Sequence, residues 1–427
     1  MKETPVRFNH ALATSAVLVA GLAGSAITVP ADASARHSDP AVVTTWNTIA
    51  TRTIFTENAT PVPVSTLYYG FVSIAVYDAV VAIEGRYRPY LRQPSVHRRA
   101  STEAAAATAA YRVLSYYFPA SASNLASDYA TSLSGIPDGS AKSRGQRVGE
   151  TAAASLIAAR TNDGRGAPIT LEVTPAPGVW RPTPELMAPM LAPWLGFVRP
   201  LALKSPTQVR LPGPDPITSK AYARDFAEVK AKGADVGSSR TPEQTQTALF
   251  WNAPVPVQYN AALRDRTAAS GMDIVRTARA FALLNTGTAD AVIACWRAKY
   301  DYAYWRPITA IRLADTDGNP ATAADPSWSP LVATPPYPDY VSGHACLTGA
   351  ASETFSRLFG ARSIDIDVSS SVTGTNRHYS TAAALDAETK SARIWLGLHF
   401  RQAMDDGNRL GHRVGTWTAT HEFQPAR

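Results

Sequence analysis

The feature that most limits what this chain can fold into is a run without a polar face, PVSTLYYGFVSIAVYDAVVAI, residues 63–83. Its apolar side chains recur on every side of a 3.6-residue period, and such a helix is stable in water only when other elements surround it. A chain of 427 residues, 45% of them apolar, can supply that surround as one large domain or two joined ones. The flanking segments also read as helices. STEAAAATAAYRVLSYYF (101–118) and SAKSRGQRVGETAAASLIAAR (140–160) are Ala-rich and amphipathic, each with a serine placed to cap it. Through residues 163–218 prolines recur too often for regular structure, as in TPAPGVWRPTPELMAPMLAPW, and the interspersed Trp and Leu suit a connection that wraps onto the body. Helical spacing resumes at SKAYARDFAEVKAKG and at RTPEQTQTALFW, where Thr241 caps and Pro242 takes the first turn. It continues through YNAALRDRTAASGMDIVRTARAFALLN and GTADAVIACWRAKYDYAYW, while period-two strand patterns are scarce. The expectation is an all-α protein with a helical half at 36–162, the Pro-rich connection at 163–218 and a second helical half at 219–427.

The ends and the charge narrow the function classes. Lys2 and Arg7 precede the apolar run ALATSAVLVAGLAGSAITVP and then ADASA, the order of a secretory signal peptide spanning residues 1–35. Secretion is expected, and no later segment is read as apolar enough to span a bilayer, so no stable membrane association is expected. The net charge is +7, but the basic residues are scattered without interleaved aromatics, which argues against nucleic acid. Cys295 and Cys346 are read as buried free thiols, with a single bridge between them as the alternative. DTDGNP (315–320) has its glycine at the fourth position, not the sixth that a calcium loop needs, and is read as a turn.

Chemistry concentrates in three later stretches. In AKYDYAYWRP, Lys299 and Arg306 are seven residues apart and share a side if the helix persists to Trp305. In PPYPDYVSGHACLTGAASETF, Ser342 and Gly343 stand at the mouth of a helix, where unpaired N–H groups and the dipole favour an anion, and His344 follows. In SARIWLGLHFRQAMDDGNRLGHRVG, Arg393 and His399 are six apart, and Gly397 permits a break that turns His399 back beside Arg393. Ala403, Gly407, Gly411 and Gly415 then form a stripe of small residues for close helix packing, and His412, His421 and His378 are read as surface residues or decoys. Three cations, an anion nest and two histidines suit a tetrahedral oxyanion.

In this order and spacing, K-x₆-R-P, S-G-H and R-x₅-H resemble the vanadium-dependent haloperoxidases, their bacterial branch in particular, and the related type-2 phosphatidic acid phosphatase superfamily. The resemblance implies a fold of two four-helix bundles. It implies vanadate held by Lys299, Arg306, Ser342, Gly343, Arg393 and His399, with His399 as the metal ligand. Lys299, His344 and His399 would be catalytic, His344 as the acid–base residue. Hydrogen peroxide, a halide and a small organic acceptor would be the reactants and hypohalous acid or a halogenated compound the product. A secreted acid phosphatase using His399 as nucleophile, through a phosphohistidine, is the alternative, and a non-catalytic anion-binding relative is a second. The chain departs from the family pattern at Ala403, where an Asp is usual, at Val341, where Pro is usual, and at Ala392, where Ser is usual. Fungal members pair the acid–base histidine with an Asp, for which Asn252 is the only polar stand-in; Tyr337 takes the aromatic position near the halide site.

Overall fold

The computed structural model describes residues 38–94, 96 and 99–426, so the signal-peptide reading of 1–35 lies outside the described residues. Two groups of helices share one apolar core. The first contains α1 (Ala41–Thr51), continued by a π-helical turn at Arg52–Glu57, then α2 (Val62–Glu84), α3 (Thr102–Tyr117), α4 (Ala122–Ser134) and α5 (Ser140–Ala159). The three short helices α6 (Lys220–Gly233), α7 (Pro242–Phe250) and α8 (Val255–Ala269) precede the second group. That group is α9 (Ile274–Tyr302), α10 (Pro307–Arg312), α11 (Gly343–Phe359), α12 (Ala382–Trp395) and α13 (Arg401–His421). The all-α reading holds. One short antiparallel hairpin, β1 (Ile366–Ser369) and β2 (Asn376–Tyr379), was not foreseen; it pairs Ile366 with Tyr379 and Ser369 with Asn376.

The run at 63–83 becomes α2, flanked by α3, α5 and α9. One expectation needs correction: α2 is long and apolar enough to cross a membrane, with mean hydropathy 1.6, yet 89% of that window is buried inside the protein. It serves as the central core helix. Ser101 caps α3 by accepting from the Ala104 N–H, and Thr241 and Gln244 form a reciprocal capping box on α7. The cap of α5 is Gly139 rather than a serine, and the long helical pattern beginning at Tyr259 breaks at Ser270–Asp273, where Asp273 caps α9.

The Pro-rich connection has a single 3₁₀ turn, Pro193–Phe197, and its course is fixed by polar contacts to α9. The buried Asp290 carboxylate accepts the N–H groups of Leu201, Ala202 and Leu203 at 2.6–2.7 Å. Trp296 Nε1 donates to the Leu191 carbonyl at 3.1 Å. A β-carbon on Gly196 would stand 2.6 Å from the Arg297 nitrogen, so a glycine is needed where the connection crosses α9. The small-residue stripe packs α13 on α11: a β-carbon on Gly407 would meet the Ser342 carbonyl at 2.9 Å, and one on Gly411 would overlap the Cys346 carbonyl.

Candidate oxyanion site

Lys299 sits in the last turn of α9, which ends at Tyr302 rather than Trp305 because Ala303 adopts a left-handed conformation (φ 42°). Arg306 is therefore not on that helix; it is the N-cap of α10, ahead of Pro307. The two cations still converge, because the Arg306 Nε donates to the Tyr337 carbonyl at 2.7 Å and Lys299 Nζ to the Pro338 carbonyl at 2.6 Å. Both stand over the Tyr337 ring, and the Trp296 ring lies tilted against it with centroids 5.0 Å apart.

Ser342 is the N-cap of α11, accepting from the Ala345 N–H, and Gly343 opens the helix. A β-carbon on Gly343 would crowd the Trp296 ring at 3.1 Å, so glycine lets the helix start lie against that indole. Tyr340, just upstream, donates its hydroxyl to the buried Asp406 carboxylate at 2.7 Å. On the third stretch, α12 closes at Leu396, Gly397 turns the chain with φ +79°, and His399 precedes α13. Arg393 Nη1 donates to the Trp251 carbonyl at 3.1 Å.

All seven residues singled out in the sequence thus come from three segments that meet in the interior. Lys299, Arg306, Ser342, Arg393 and His399 are buried, and His344 is partly exposed. The Arg306 Nη2, Arg393 Nε and His344 Nε2 atoms are buried without a protein partner. Burial, with the neighbouring Arg306 charge adding to it, pushes Lys299 down to about 8 and Arg393 down to about 10. Burial, followed by the surrounding cations, holds both His344 and His399 well below the ordinary histidine range, so both rings are neutral. Three buried cations, two of them with an unspent N–H donor, are a costly arrangement without an anion. A hydroxyl, a helix start and two guanidinium groups match the oxygens of a tetrahedral oxyanion, and a neutral imidazole is a competent metal ligand. The residues fit vanadate, and they fit phosphate by the same chemistry.

The structure adds residues the sequence reading missed. Asp339 is buried, its Oδ1 is 2.7 Å from His399 Nδ1, and Arg306 Nη1 is 3.9 Å from the same oxygen. Burial raises its carboxyl to about 7 against the pull of Arg306 and Lys299. Its sequence signal was a lone carboxylate three residues before the S-G-H motif. The partner of His344 is the Ala253 backbone rather than the Asn252 side chain. His412 is not a surface residue: it is half-buried between Asp386 and Glu353, at 2.8 and 3.2 Å. His378 is exposed beside Asp365 and Asp367, away from the oxyanion cage. Cys295 and Cys346 are buried free thiols.

Gly343, His344 and Arg393 also line a cavity of about 270 Å³. The rest of its wall is largely apolar: Trp296, Tyr337, Leu191, Leu347, Val62 and five prolines (Pro61, Pro63, Pro254, Pro335, Pro336). Part of the wall comes from the first turn of α2, with Pro61 just ahead of it, and from the Pro-rich connection.

Residues 279–426 match the family model for the VCPO second helical-bundle domain, and all seven site residues fall within the match. The vanadium chloroperoxidase of Curvularia inaequalis is 27% identical over a match covering 38% of this chain and 37% of its own length, so the chain spans little more than a third of that curated relative. Among solved structures, a bacterial vanadium-dependent iodoperoxidase superposes with a TM-score of 0.78 at 22% identity, covering 91% of this chain and 98% of that one. A bacterial vanadium-dependent chloroperoxidase in its holo form superposes at 0.67 and 19% identity, covering 84% and 92%. At these identities the structural likenesses show the shared fold. The resemblance to the vanadium-dependent haloperoxidases read from the motifs is found independently by sequence family, curated relative and fold.

Proposed function

We propose that this chain, whose residues 279–426 resemble the second helical-bundle domain of a vanadium chloroperoxidase, is a vanadate-dependent haloperoxidase. The observation that carries the reading is the set of three buried cations, two of them with an unpartnered guanidinium N–H, gathered beside two neutral histidines. Lys299, Arg306, Ser342, Gly343 and Arg393 would hold the oxygens of vanadate, and His399 would be the protein ligand to the metal. Bound vanadate supplies a centre that activates hydrogen peroxide for attack by halide, giving hypohalous acid. His344 Nε2, covered and without a protein partner, takes the proton that peroxide gives up, and its neutral state is what allows this. Lys299, Arg306 and Arg393 stabilise the negative charge that develops on oxygen, in a site where water does not screen them.

The cavity beside His344 supports a small, neutral organic acceptor. Its lining contains no carboxylate to hold an amine, and Arg393 is the single charged residue in it. Export through the N-terminal segment is part of the same proposal.

The test is a paired assay on the purified protein. Halogenation of phenol red or monochlorodimedone with vanadate, peroxide and each halide is expected, with negligible turnover of p-nitrophenyl phosphate. Phosphatase turnover without halogenation would replace this reading with the acid-phosphatase alternative. Tight vanadate binding with neither activity would identify a non-catalytic oxyanion binder.

A further inference from the structure

We infer that Asp339 is the positioning residue that makes His399 a ligand, by holding its proton on Nδ1 and presenting the Nε2 lone pair to the oxyanion site. The inference rests on the reading of His399 as the residue that binds the metal. Two contacts made by different groups select the same tautomer. Asp339 Oδ1 lies 2.7 Å from Nδ1, and a carboxylate there accepts a proton. Arg306 Nη1 lies 3.1 Å from Nε2 and 3.4 Å from Nδ1, and a guanidinium can only donate, so the nearer nitrogen, Nε2, offers it the lone pair that a bound metal would take over. With the proton on Nε2 instead, two donors would face each other in a buried site. Among the described residues, Asp339 is the only side-chain acceptor bonded to the His399 ring.

Asp339 is itself held in place. Its backbone N–H donates to the Tyr304 carbonyl at 2.9 Å, and its carbonyl accepts from Lys299 Nζ at 3.1 Å. One residue therefore ties the end of α9, the approach to α11 and the turn before α13. On α13 itself, Ala403 offers no carboxylate to do this, so the orientation of His399 comes from the segment that leads into Ser342. Carboxylates that orient a ligating histidine typically change metal affinity by about 10–100-fold when removed.

The experiment uses the full chain with histidine-selective ¹⁵N labelling, the His399 signals being assigned by their loss in His399→Ala. Long-range ¹H–¹⁵N spectra of the cofactor-free protein are expected to show the proton on Nδ1 in the wild type and a shift toward Nε2 in Asp339→Ala. Vanadate affinity, by titration calorimetry, is expected to fall about 10–100-fold in Asp339→Ala and to recover in Asp339→Asn, whose amide oxygen still accepts. Circular dichroism checks that both variants fold, and the Asn variant carries the test if the Ala variant does not. A wild-type His399 protonated on Nε2, or an Asp339→Ala protein with unchanged tautomer and affinity, would overturn the inference. Absence of vanadate binding by the wild type would instead overturn the haloperoxidase reading, while the tautomer measurement still decides the role of Asp339.

Discussion

The Lys299 ammonium lies 4.9 Å from the centre of the Tyr337 ring, buried between that ring and the carbonyls of Pro338 and Asp339. Aromatic faces and carbonyls stabilise a cation less than water does here, since burial still brings Lys299 from 10.5 down to about 8. Below about pH 8 the lysine adds its charge to those of Arg306 and Arg393; above it the lysine is increasingly neutral in the free protein. An oxyanion favours the charged form, so binding above pH 8 takes up a proton. Phosphate affinity should therefore fall by up to about tenfold per pH unit between roughly 8 and 10.5. Calorimetry in two buffers of different ionisation enthalpy would report near one proton taken up at pH 9. An affinity flat across that range would show that Lys299 does not face the anion.

The two histidines should separate by measurement. His344→Ala should keep phosphate and vanadate binding within a few-fold, yet lose about 10²–10⁴-fold in peroxide-dependent turnover. His399→Ala should lose vanadate affinity far more than phosphate affinity, because it removes a metal bond that phosphate never makes. Phosphate should protect both variants against heating, since a ligand at about 100 times its Kd adds roughly 2.7 kcal/mol to the folded state. Equal losses of both anions in His399→Ala would remove it as a metal ligand.

Close packing of α13 on α11 gives a prediction about stability. Gly411→Ala should destabilise by about 1–3 kcal/mol or more, because its β-carbon overlaps the Cys346 carbonyl and α11 must shift. Gly287→Ala is the control: its nearest neighbours stand 3.8 Å away, and alanine improves helix propensity in the middle of α9. Urea denaturation should place the two on opposite sides of the wild type. A stabilised Gly411→Ala would mean that α11 and α13 are more loosely joined than the structure has them.

His412 should act as a clamp with a defined pH window. Burial opposes its protonation, but hydrogen bonds and charge from Asp386 and Glu353 win and raise it to about 9. A raised histidine contributes stability that is complete below about 6.5 and is lost as pH rises through 9. His412→Ala should therefore cost about 2 kcal/mol at pH 6 and progressively less toward pH 10. Thermal melts of both proteins across that range would test it, and a pH-independent difference would show that the ring contributes packing alone.

What the sequence disclosed and what it hid follow from how far apart the interacting residues lie. The apolar run of α2 and the caps at Ser101 and Thr241 were legible because their physics is local, decided within a few residues. Lys299, Ser342, Gly343, His344 and Arg393 were legible from residue type and spacing, with the motif order supplying the link between them. The end of α9 was not, because Ala303 takes a left-handed conformation that alanine does not announce. Asp339 was overlooked because its partner, His399, is 60 positions away, and His412 was misread because Asp386 and Glu353 reach it from two other helices. The hairpin was missed because four-residue strands are too short to show a period.

The cavity wall described above has two origins in the gene. The residues placed on the oxyanion lie between 299 and 399, whereas Pro61, Val62, Pro63 and Leu191 come from stretches that take no part in the chemistry. Substitutions at those four positions can reshape what enters without disturbing a single cationic donor. Acceptor selectivity is thus the property most open to laboratory evolution, and a library confined to those codons would search it while leaving the reactive end intact. The division is not complete, because Arg393 and His344 lean on the backbones of Trp251 and Ala253, so residues 279–426 alone would lack part of the cage as well as its doorway.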